Sequence, residues 1–370
     1  MNHLRSMPHR TAGFSLIELM VAIVVGLILL GGVVTLMANS KKGYNMQNDV
    51  ARIQENARFA MEFIQRDLRM AGYFGCMDDV ENVWNHVNGG TNNLFSTEFG
   101  IEGVEQGGTA WQPSGSTDNV SSILAGTDAI AVRYIDPNAA VNVVPPYMPQ
   151  AAGNIMVETG NNLREGDIIA ITDCASTDIF QITGPADTNP SSTGTIIHTT
   201  GNNVSPGNTD ALVPNCPGAN AHCLSKVYEG EGQVMKLVSV RYFIGDTGRG
   251  SSALFRENLD LTGTAAGGNA QELVEGIENM QILYGIDTDG DGAPEEYQDA
   301  ASMGTTAVLW DNVISIRVGL IAGSVEEYGD ETEIDKRDYD VDRDGVVDLS
   351  DPSDRRRRRV FTATVMVRNS

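Results

Sequence analysis

One uninterrupted apolar segment near the amino terminus constrains the fold most strongly. Residues 13–38 read GFSLIELMVAIVVGLILLGGVVTLMA, and Glu18 is their one charged residue. A helix of about 20 residues crosses a bilayer, whereas a cleaved secretory signal has an apolar region of only ~7–15 residues followed by a small-x-small site. This segment is longer and lacks that site, so it predicts a membrane-spanning helix. Arg5 and Arg10 precede it and predict a cytoplasmic amino terminus.

The position of Glu18 inside this segment is unusual, because a carboxylate costs about 2.5–3.5 kcal/mol at the centre of a spanning helix and less near its ends. One interpretation is that Glu18 lies near the cytoplasmic edge and reaches the lipid headgroups. The other interpretation is that its side chain has a partner within the membrane. The order of the surrounding residues favours the second interpretation, in which Glu18 has a partner within the membrane.

The motif GFSLIE, from Gly13 to Glu18, resembles the class III signal of type IV prepilins and type II secretion pseudopilins. The resemblance implies that a prepilin peptidase cuts between Gly13 and Phe14 on the cytoplasmic side and methylates the new terminus at Phe14. Glu18 then matches the family's glutamate at the fifth position of the mature chain. Its carboxylate would pair with the amino group of Phe14 in a neighbouring subunit, an interaction far stronger in low dielectric than in water.

The helix is predicted to continue beyond the membrane to about Ala71, and Gly72 and Gly75 signal its end. Apolar residues recur at steps of three or four, which is the spacing of one helix face: Val50, Ile53, Ala57, Met61, Ile64 and Leu68. Three more are expected to widen this stripe: Phe59, Phe63 and Met70. The polar face is assigned seven residues: Arg52, Glu55, Arg58, Glu62, Arg66, Asp67 and Arg69. We interpret the stripe as core packing.

The rest of the chain is predicted to be β-rich. Eight segments combine β-branched residues with flanking turn residues: Ala129–Ile135, Asp167–Thr172, Asp178–Thr183, Thr195–Thr199, Val234–Ile244, Leu273–Ile286, Val313–Ile321 and Val360–Val367. Ala253–Glu257 is the expected hairpin partner of Val234–Ile244. A long amino-terminal helix followed by antiparallel strands is an α+β, pilin-like plan. The number of strands predicts two sheets, or one enlarged antiparallel sheet, with long loops.

We divide the chain into a leader at residues 1–13, a transmembrane half-helix at 14–38, an amphipathic half-helix at 39–72 and an exported globular domain at 73–370. Two segments point to one particular family among the pilins: QNDVARIQENARFAMEFIQRDLRMAGYFGC at 47–76 and YGIDTDGD at 284–291. They are similar to the PilW family of minor pilins, which is related to the secretion pseudopilins of the J type.

This resemblance implies a minor pilin that helps initiate type IV pilus assembly within the tip complex. The implied partners are other minor pilins, the major pilin, the prepilin peptidase, the inner-membrane assembly platform and a large tip adhesin. The implied location is the inner membrane and then the pilus tip. The alternatives are a type II secretion pseudopilin at the pseudopilus tip and a calcium-dependent component of a tip adhesin.

An enzyme is not expected. The five histidines are scattered and no G-x-S-x-G motif occurs: His3, His9, His86, His198 and His222. The formal net charge is −24, and loss of Arg5 and Arg10 with the leader would bring it to −26. So acidic a chain disfavours nucleic acid and anionic membrane surfaces as partners. It suits divalent cations and basic protein surfaces.

Four cysteines follow the predicted span, on the exported side where disulfides are the default, and they allow three pairings. Cys216 and Cys223 bracket the short loop NCPGANAHC, so we pair them, which leaves Cys76 with Cys174. A zinc site at Cys216, His222 and Cys223 is the alternative. It is disfavoured because adjacent residues make awkward joint ligands and no C-x-x-C pair accompanies them.

Two acidic loops begin with the D-x-D-x-D-G pattern of a calcium loop, in which alternate carboxylates turn inward around one ion and glycine permits a sharp bend. The first loop offers Asp287, Asp289, Asp291 and Glu295, with Gln298 at the twelfth place and Glu296 as a substitute. The second offers Asp340, Asp342, Asp344, the carbonyl of Val346, Asp348 and Asp351.

We therefore predict one or two Ca²⁺ sites without flanking helices, since clustered carboxylates repel one another when no cation is bound. The alternative for each loop is a solvated acidic turn that binds nothing. Five arginines, Arg355–Arg359, follow the second loop, and the preceding segment from Glu326 to Asp354 holds thirteen acidic residues. We expect these charges to neutralise each other locally, and a partner-binding patch is the alternative.

Overall fold

The computed structural model describes residues 13, 15–76, 82–88, 99–117, 120–185, 189–200, 204–209, 222–258, 270–327 and 334–367. It has the predicted α+β class, with a long apolar amino-terminal helix followed by a large and mostly antiparallel β domain. The chain divides into two compact units, Met1–Arg52 and Ile53–Ser370, and each is described by itself.

The helices are α1 Leu16–Leu68, α2 Pro190–Thr193, α3 Ala300–Met303 and α4 Ala307–Asp311. The strands of the first half are β1 Val83–Asn85, β2 Ile101–Val104, β3 Ala129–Ile135, β4 Val141–Asn142, β5 Ile155–Met156, β6 Ile168–Thr172, β7 Thr177–Gln181 and β8 Thr195–Ile196. Those of the second half are β9 Gln233–Asp246, β10 Ser252–Asn258, β11 Ala270–Glu275, β12 Ile277–Ile286, β13 Glu296–Gln298, β14 Val313–Gly323 and β15 Arg358–Met366.

In the first unit, α1 exposes apolar side chains on all sides. Every large apolar side chain between Leu16 and Met37 is 49–76% exposed. Among the described residues, α1 is the one helix that is long and apolar enough to cross a membrane. The Thr35 hydroxyl donates to the carbonyl of Gly31 at 2.9 Å, which satisfies this polar group within the helix itself.

In the second unit, α1 buries one face, as the spacing predicts. The buried side chains are Ile53, Ala57, Ala60, Met61, Ile64 and Leu68. They join residues of β3, β9, β10, β12 and β14 in the largest apolar cluster of the described chain. Gly72 lies just beyond the helix with φ +73°, and its N–H donates to the carbonyl of Arg133 at 3.0 Å. The amphipathic half of α1 is therefore a core element of the β domain.

Two predictions about the faces of α1 are wrong. Phe59 and Phe63 are 43% and 41% exposed, so they do not widen the buried stripe, and Ala60 occupies the buried position beside them. Asp67 was assigned to the polar face but is only 4% exposed. It is buried because the polar tips of three sheet residues reach its carboxylate: Tyr134, Tyr242 and Arg256. Met70 packs against the core as predicted.

Strand β9 organises the larger, nine-stranded sheet. Its first part pairs with β6 on one side and β4 on the other, and its second part pairs with β3 and β10. β7 and β1 extend the sheet beyond β6, β2 extends it beyond β3, and β11 extends it beyond β10. The β1–β7 pair is parallel, while the other described pairs are antiparallel.

A second sheet has the order β13-β12-β14-β15, and β5 pairs with β8 alone. Of the two predicted alternatives, two sheets or one enlarged sheet, the described strands therefore favour the first, with an additional two-stranded pair. The predicted strand Leu273–Ile286 is divided at Gly276, which has φ +81°. A Cβ atom there would lie 2.8 Å from the carbonyl oxygen of Gly323. β11 can thus belong to the larger sheet and β12 to the second, because glycine permits the turn between them.

The predicted disulfide between Cys76 and Cys174 is present, with a Cα–Cα distance of 5.1 Å. It joins the segment after α1 to the loop between β6 and β7. Cys223 is also disulfide-bonded and therefore supplies no thiolate to zinc. Cys216, its predicted partner, lies outside the described residues.

Candidate functional site

The amino-terminal motif places an exposed carboxylate at the start of α1. Ser15 caps the helix, and its Oγ accepts from the N–H of Glu18 at 3.2 Å. Within the described residues the Glu18 side chain is exposed and forms no ion pair. Gly13 is also exposed, and a Cβ atom at this position would contact nothing within 4 Å. Phe14, the predicted new terminus, lies outside the described residues.

The first acidic loop connects β12 to β13 and is built on Asp287. The Asp287 N–H donates to the carbonyl of Asn312 at 2.9 Å. Its carboxylate accepts from the N–H groups of Gly290 at 2.6 Å and Gly292 at 2.8 Å. These backbone hydrogen bonds favour the charged form and lower the pKa of Asp287. Both glycines have positive φ, +79° and +84°, which lets the chain wrap around this carboxylate.

All four carboxylates predicted for the first loop come together. One oxygen from each of Asp287, Asp289, Asp291 and Glu295 lies within 4.8 Å of the others. Glu295 closes the loop, because its Oε2 accepts from the Thr288 N–H at 2.6 Å. Gln298 and the substitute Glu296 are in β13, where they hydrogen-bond each other at 2.7 Å, so they stand outside the cluster.

The second acidic loop precedes β15 and gathers three carboxylates, those of Asp340, Asp342 and Asp348, within 4.8 Å. Asp340 accepts from the Arg343 N–H at 2.7 Å, and Asp348 accepts from the Val341 N–H at 2.7 Å. Burial, with the negative charges of its neighbours, raises the pKa of Asp342 to about 6. Burial also raises the pKa of Asp348. The loop thus concentrates negative charge in a partly buried site.

Two aspartates predicted for the second loop lie outside this group of three. Asp344 accepts from the N–H of Val346 at 2.6 Å, and the Val346 side chain is 61% exposed. Asp351 has φ +37°, and its carboxylate accepts from the Ser353 hydroxyl at 2.7 Å. The chemistry of both clusters, hard carboxylate oxygens with no nitrogen or sulfur, fits Ca²⁺. In the second loop the local turns, rather than the spacing pattern, decide which aspartates converge.

Two arginines of the run, Arg355 and Arg358, pair with carboxylates of the chain, which agrees in part with the expected local neutralisation. Arg358 is 6% exposed and pairs with Glu278 at 2.6 Å and with Asp354 at 2.5 Å. Arg355 pairs with Glu327 at 3.0 Å. The run therefore anchors β15 to the segment before it.

Sequence reasoning missed a cluster of three buried histidines: His86, His198 and His222, each at most 3% exposed. Nδ1 of His198 lies 2.8 Å from Nδ1 of His222, and Nε2 of His198 donates to the carbonyl of Gly153 at 2.8 Å. His86 donates to Asp178 at 2.5 Å. Burial lowers the pKa of His198 to about 4. These histidines are far apart in the sequence, so no local sequence pattern predicts that their side chains meet.

The comparisons with known proteins agree with the amino-terminal motif and with the second half of the chain. Residues 8–34 match the prokaryotic N-terminal methylation motif. Residues 241–369 match the family described as Type IV Pilus-assembly protein W, PilW, and this match contains both acidic loops. The comparison with curated proteins and the comparison with solved structures find no match. Of the two resembling segments, 284–291 lies inside the PilW match, whereas 47–76 lies outside both matches.

A methylation motif, an exposed apolar helix and an antiparallel β domain together define a type IV pilin-like protein, which is a structural class. The match of residues 241–369 points more specifically, within this class, to the PilW family of type IV pilus-assembly proteins, to which this part of the chain is similar. The type IV pilin-like class implies interaction with other pilins and with the assembly machinery.

Proposed function

We propose that this protein is a minor pilin that helps initiate type IV pilus assembly and forms part of the pilus tip complex. The observation that carries this proposal is the two-part character of α1. Its first half presents apolar side chains on every side, and its second half is built into the core of the β domain. A helix of this kind suits a subunit that is anchored in the inner membrane and then packs beside other helices in a filament.

The proposed assembly contact lies at the start of this helix. The prepilin peptidase cuts between Gly13 and Phe14 and methylates Phe14, and the free carboxylate of Glu18 pairs with the amino terminus of a neighbouring subunit. The match of residues 8–34 to the methylation motif and the exposure of Glu18 support this proposal. The proposed neighbours are other minor pilins, the major pilin and a tip adhesin, and the inner-membrane platform drives assembly.

A deletion strain tests this function directly. Loss or strong reduction of surface pili and of twitching, restored by the wild-type gene, is the expected result. Normal piliation together with failed protein export would instead assign the chain to the tip of a type II secretion pseudopilus. Normal piliation and normal export would contradict both assignments.

We also propose that the two acidic loops bind Ca²⁺, which would make this a calcium-dependent component of the tip. The convergence of four carboxylates in the first loop and three in the second supports this proposal. Bound calcium would screen the repulsion among these groups and hold the loops beside β13 and β15. Calorimetric titration of the detergent-solubilised, metal-free protein with calcium should release heat and raise the melting temperature. Absence of both effects would remove this proposal.

A further inference from the structure

A groove with a volume of about 560 Å³ lies along the outward face of α1 in the second unit. It does not belong to the acidic loops or to the amino-terminal motif. Asn138 forms part of its wall, and the principal lining side chains come from α1: Arg58, Met61, Glu62, Arg66, Arg69 and Met70. A groove of this volume is large enough to hold several side chains of a partner segment.

The charge of this groove is opposite to that of the whole protein. The chain carries a net charge of −24, yet three arginines and only one acid line the groove. Within the described residues Arg58, Arg66 and Arg69 form no ion pair, and Arg69 donates only to Gln65, at 3.3 Å. Elsewhere seven described arginines pair with a carboxylate: Arg133, Arg241, Arg249, Arg256, Arg337, Arg355 and Arg358. The groove therefore brings together three arginines that have no carboxylate partner among the described residues.

The apolar surroundings of the groove are those of a protein interface. Met61 and Met70 contribute apolar surface to its lining. Phe59 and Phe63, one helical turn apart, remain exposed on the same helix. Arginine, methionine and aromatic residues are enriched where proteins meet. This exposed aromatic pair is unlike the rest of α1 in this unit, where apolar side chains are mostly buried.

We propose that this arginine groove binds an acidic segment of a neighbouring subunit that is a different protein from this one. The inference rests on the proposed function, because an assembling pilin has neighbours, and it names the chemistry of one of them. Guanidinium groups bind carboxylates through paired, charge-assisted hydrogen bonds. Glu62 separates the cations along the groove, which suits the spaced carboxylates of a peptide better than the dense charge of a polyphosphate. The methionines then contact the aliphatic parts of the bound segment.

A peptide-binding experiment tests the chemistry without reference to the pilus. The probe is a fluorescent eight-residue peptide with four glutamates, and the same peptide with glutamines in their place is the reference. The full-length protein in a non-ionic detergent should bind the glutamate peptide, more weakly as salt is added. The double variant Arg66→Gln/Arg69→Gln should bind it about tenfold more weakly. Equal binding of the two peptides would overturn the proposal.

The matched control is the double variant Arg164→Gln/Arg359→Gln, which removes the same charge from two exposed arginines outside the groove. It should bind the glutamate peptide as the wild type does. Glutamine keeps the helix propensity of arginine, so the groove variant should fold, and an unchanged melting temperature checks this. Equal weakening in both double variants would show a general charge effect and overturn the assignment to the groove.

Cross-linking in cells identifies the occupant. A photoreactive amino acid replacing Gln65, at the groove wall, should capture segments in which Asp and Glu outnumber Lys and Arg. The Arg66→Gln/Arg69→Gln change should abolish this capture. Capture of a second copy, of lipid or of a non-acidic segment, or no capture, would overturn the inference. Normal pili in a deletion strain would instead refute the proposed function. Capture of an acidic partner in that case would still support the proposal that the groove binds acidic segments.

Discussion

The hydroxyl group of Tyr242 donates a hydrogen bond of 2.6 Å to the buried carboxylate of Asp67. Tyr134 donates to the other oxygen at 2.9 Å, and Arg256 approaches within 3.1 Å. One carboxylate near the end of α1 thus joins three residues of the larger sheet. Burial, followed by the negative charge of Asp67, raises the pKa of both tyrosines. The network favours one rotation of α1 on the sheet, because turning the helix would move this carboxylate away from all three donors.

We expect Asp67→Ala to destabilise the protein by about 3 kcal/mol, because it leaves Arg256 and two buried hydroxyls without their acceptor. Glu62→Ala is the matched control. It removes an exposed acid from the same helix and should change the free energy of unfolding by less than about 0.5 kcal/mol. Urea denaturation of the detergent-solubilised protein measures both. Similar values for the two variants would show that the network contributes little to stability.

The buried histidines predict a loss of stability in acid. Burial lowers the pKa of His198 from 6.5 to about 4, so the folded protein binds fewer protons than the unfolded chain between these values. The contribution of His198 to the free energy of unfolding should therefore be constant above pH 6.5. It should decrease by roughly 3 kcal/mol as the pH falls from 6.5 to about 4. Glu105 acts in the opposite direction, since burial raises its pKa to about 7.

The comparison of wild type with His198→Gln isolates this histidine. The amide can still donate to Gly153 but does not titrate, so the difference in unfolding free energy between the two proteins should shrink as the pH falls from 6.5 to 4.5. Chemical denaturation at several pH values measures it. A difference that stays the same at every pH would mean that His198 is not a neutral buried group.

The second acidic loop offers a direct comparison of two aspartates that the D-x-D-x-D-G pattern treats alike. Asp342→Asn removes a carboxylate from the converging group and should weaken calcium binding at this loop about tenfold or more. Asp351→Asn is the control, because Asp351 points its carboxylate to Ser353 instead. Calorimetric titration measures both affinities. If the two variants lose affinity equally, Asp351 is a ligand and the loop rearranges around the ion.

Processing and assembly can be separated at the amino terminus. Gly13→Ala should leave an uncut precursor in the membrane, whereas Glu18→Ala should be cut and methylated but absent from sheared filaments. Mass spectrometry of the purified proteins and immunoblots of filaments measure the two steps. Ser15→Ala, a change between the two sites, is the control and should be both cut and assembled. Normal incorporation of Glu18→Ala would contradict the proposed pairing.

Several features of this protein follow from its sequence because they depend on neighbouring residues. The apolar segment of α1 can be predicted from its composition alone, and the buried stripe from Ile53 to Leu68 can be predicted from the helical repeat alone. Strands such as β9 and β14 are strongly β-branched, and their bounds lie within a few residues of those predicted. The converging carboxylates of the first acidic loop follow from alternate aspartates and two glycines.

Other features depend on residues far apart in the chain, which no local pattern connects. Asp67 looks like a surface residue of α1 until β9 and β10 bring Tyr242 and Arg256 to it. The three histidines are separated by 24 residues or more and meet only when β7 and its surrounding loops pack together. Helical spacing determines which side of the helix a residue lies on. Which residues pack against that side, and whether a polar group there becomes buried, depends on contacts between residues that are far apart in the sequence.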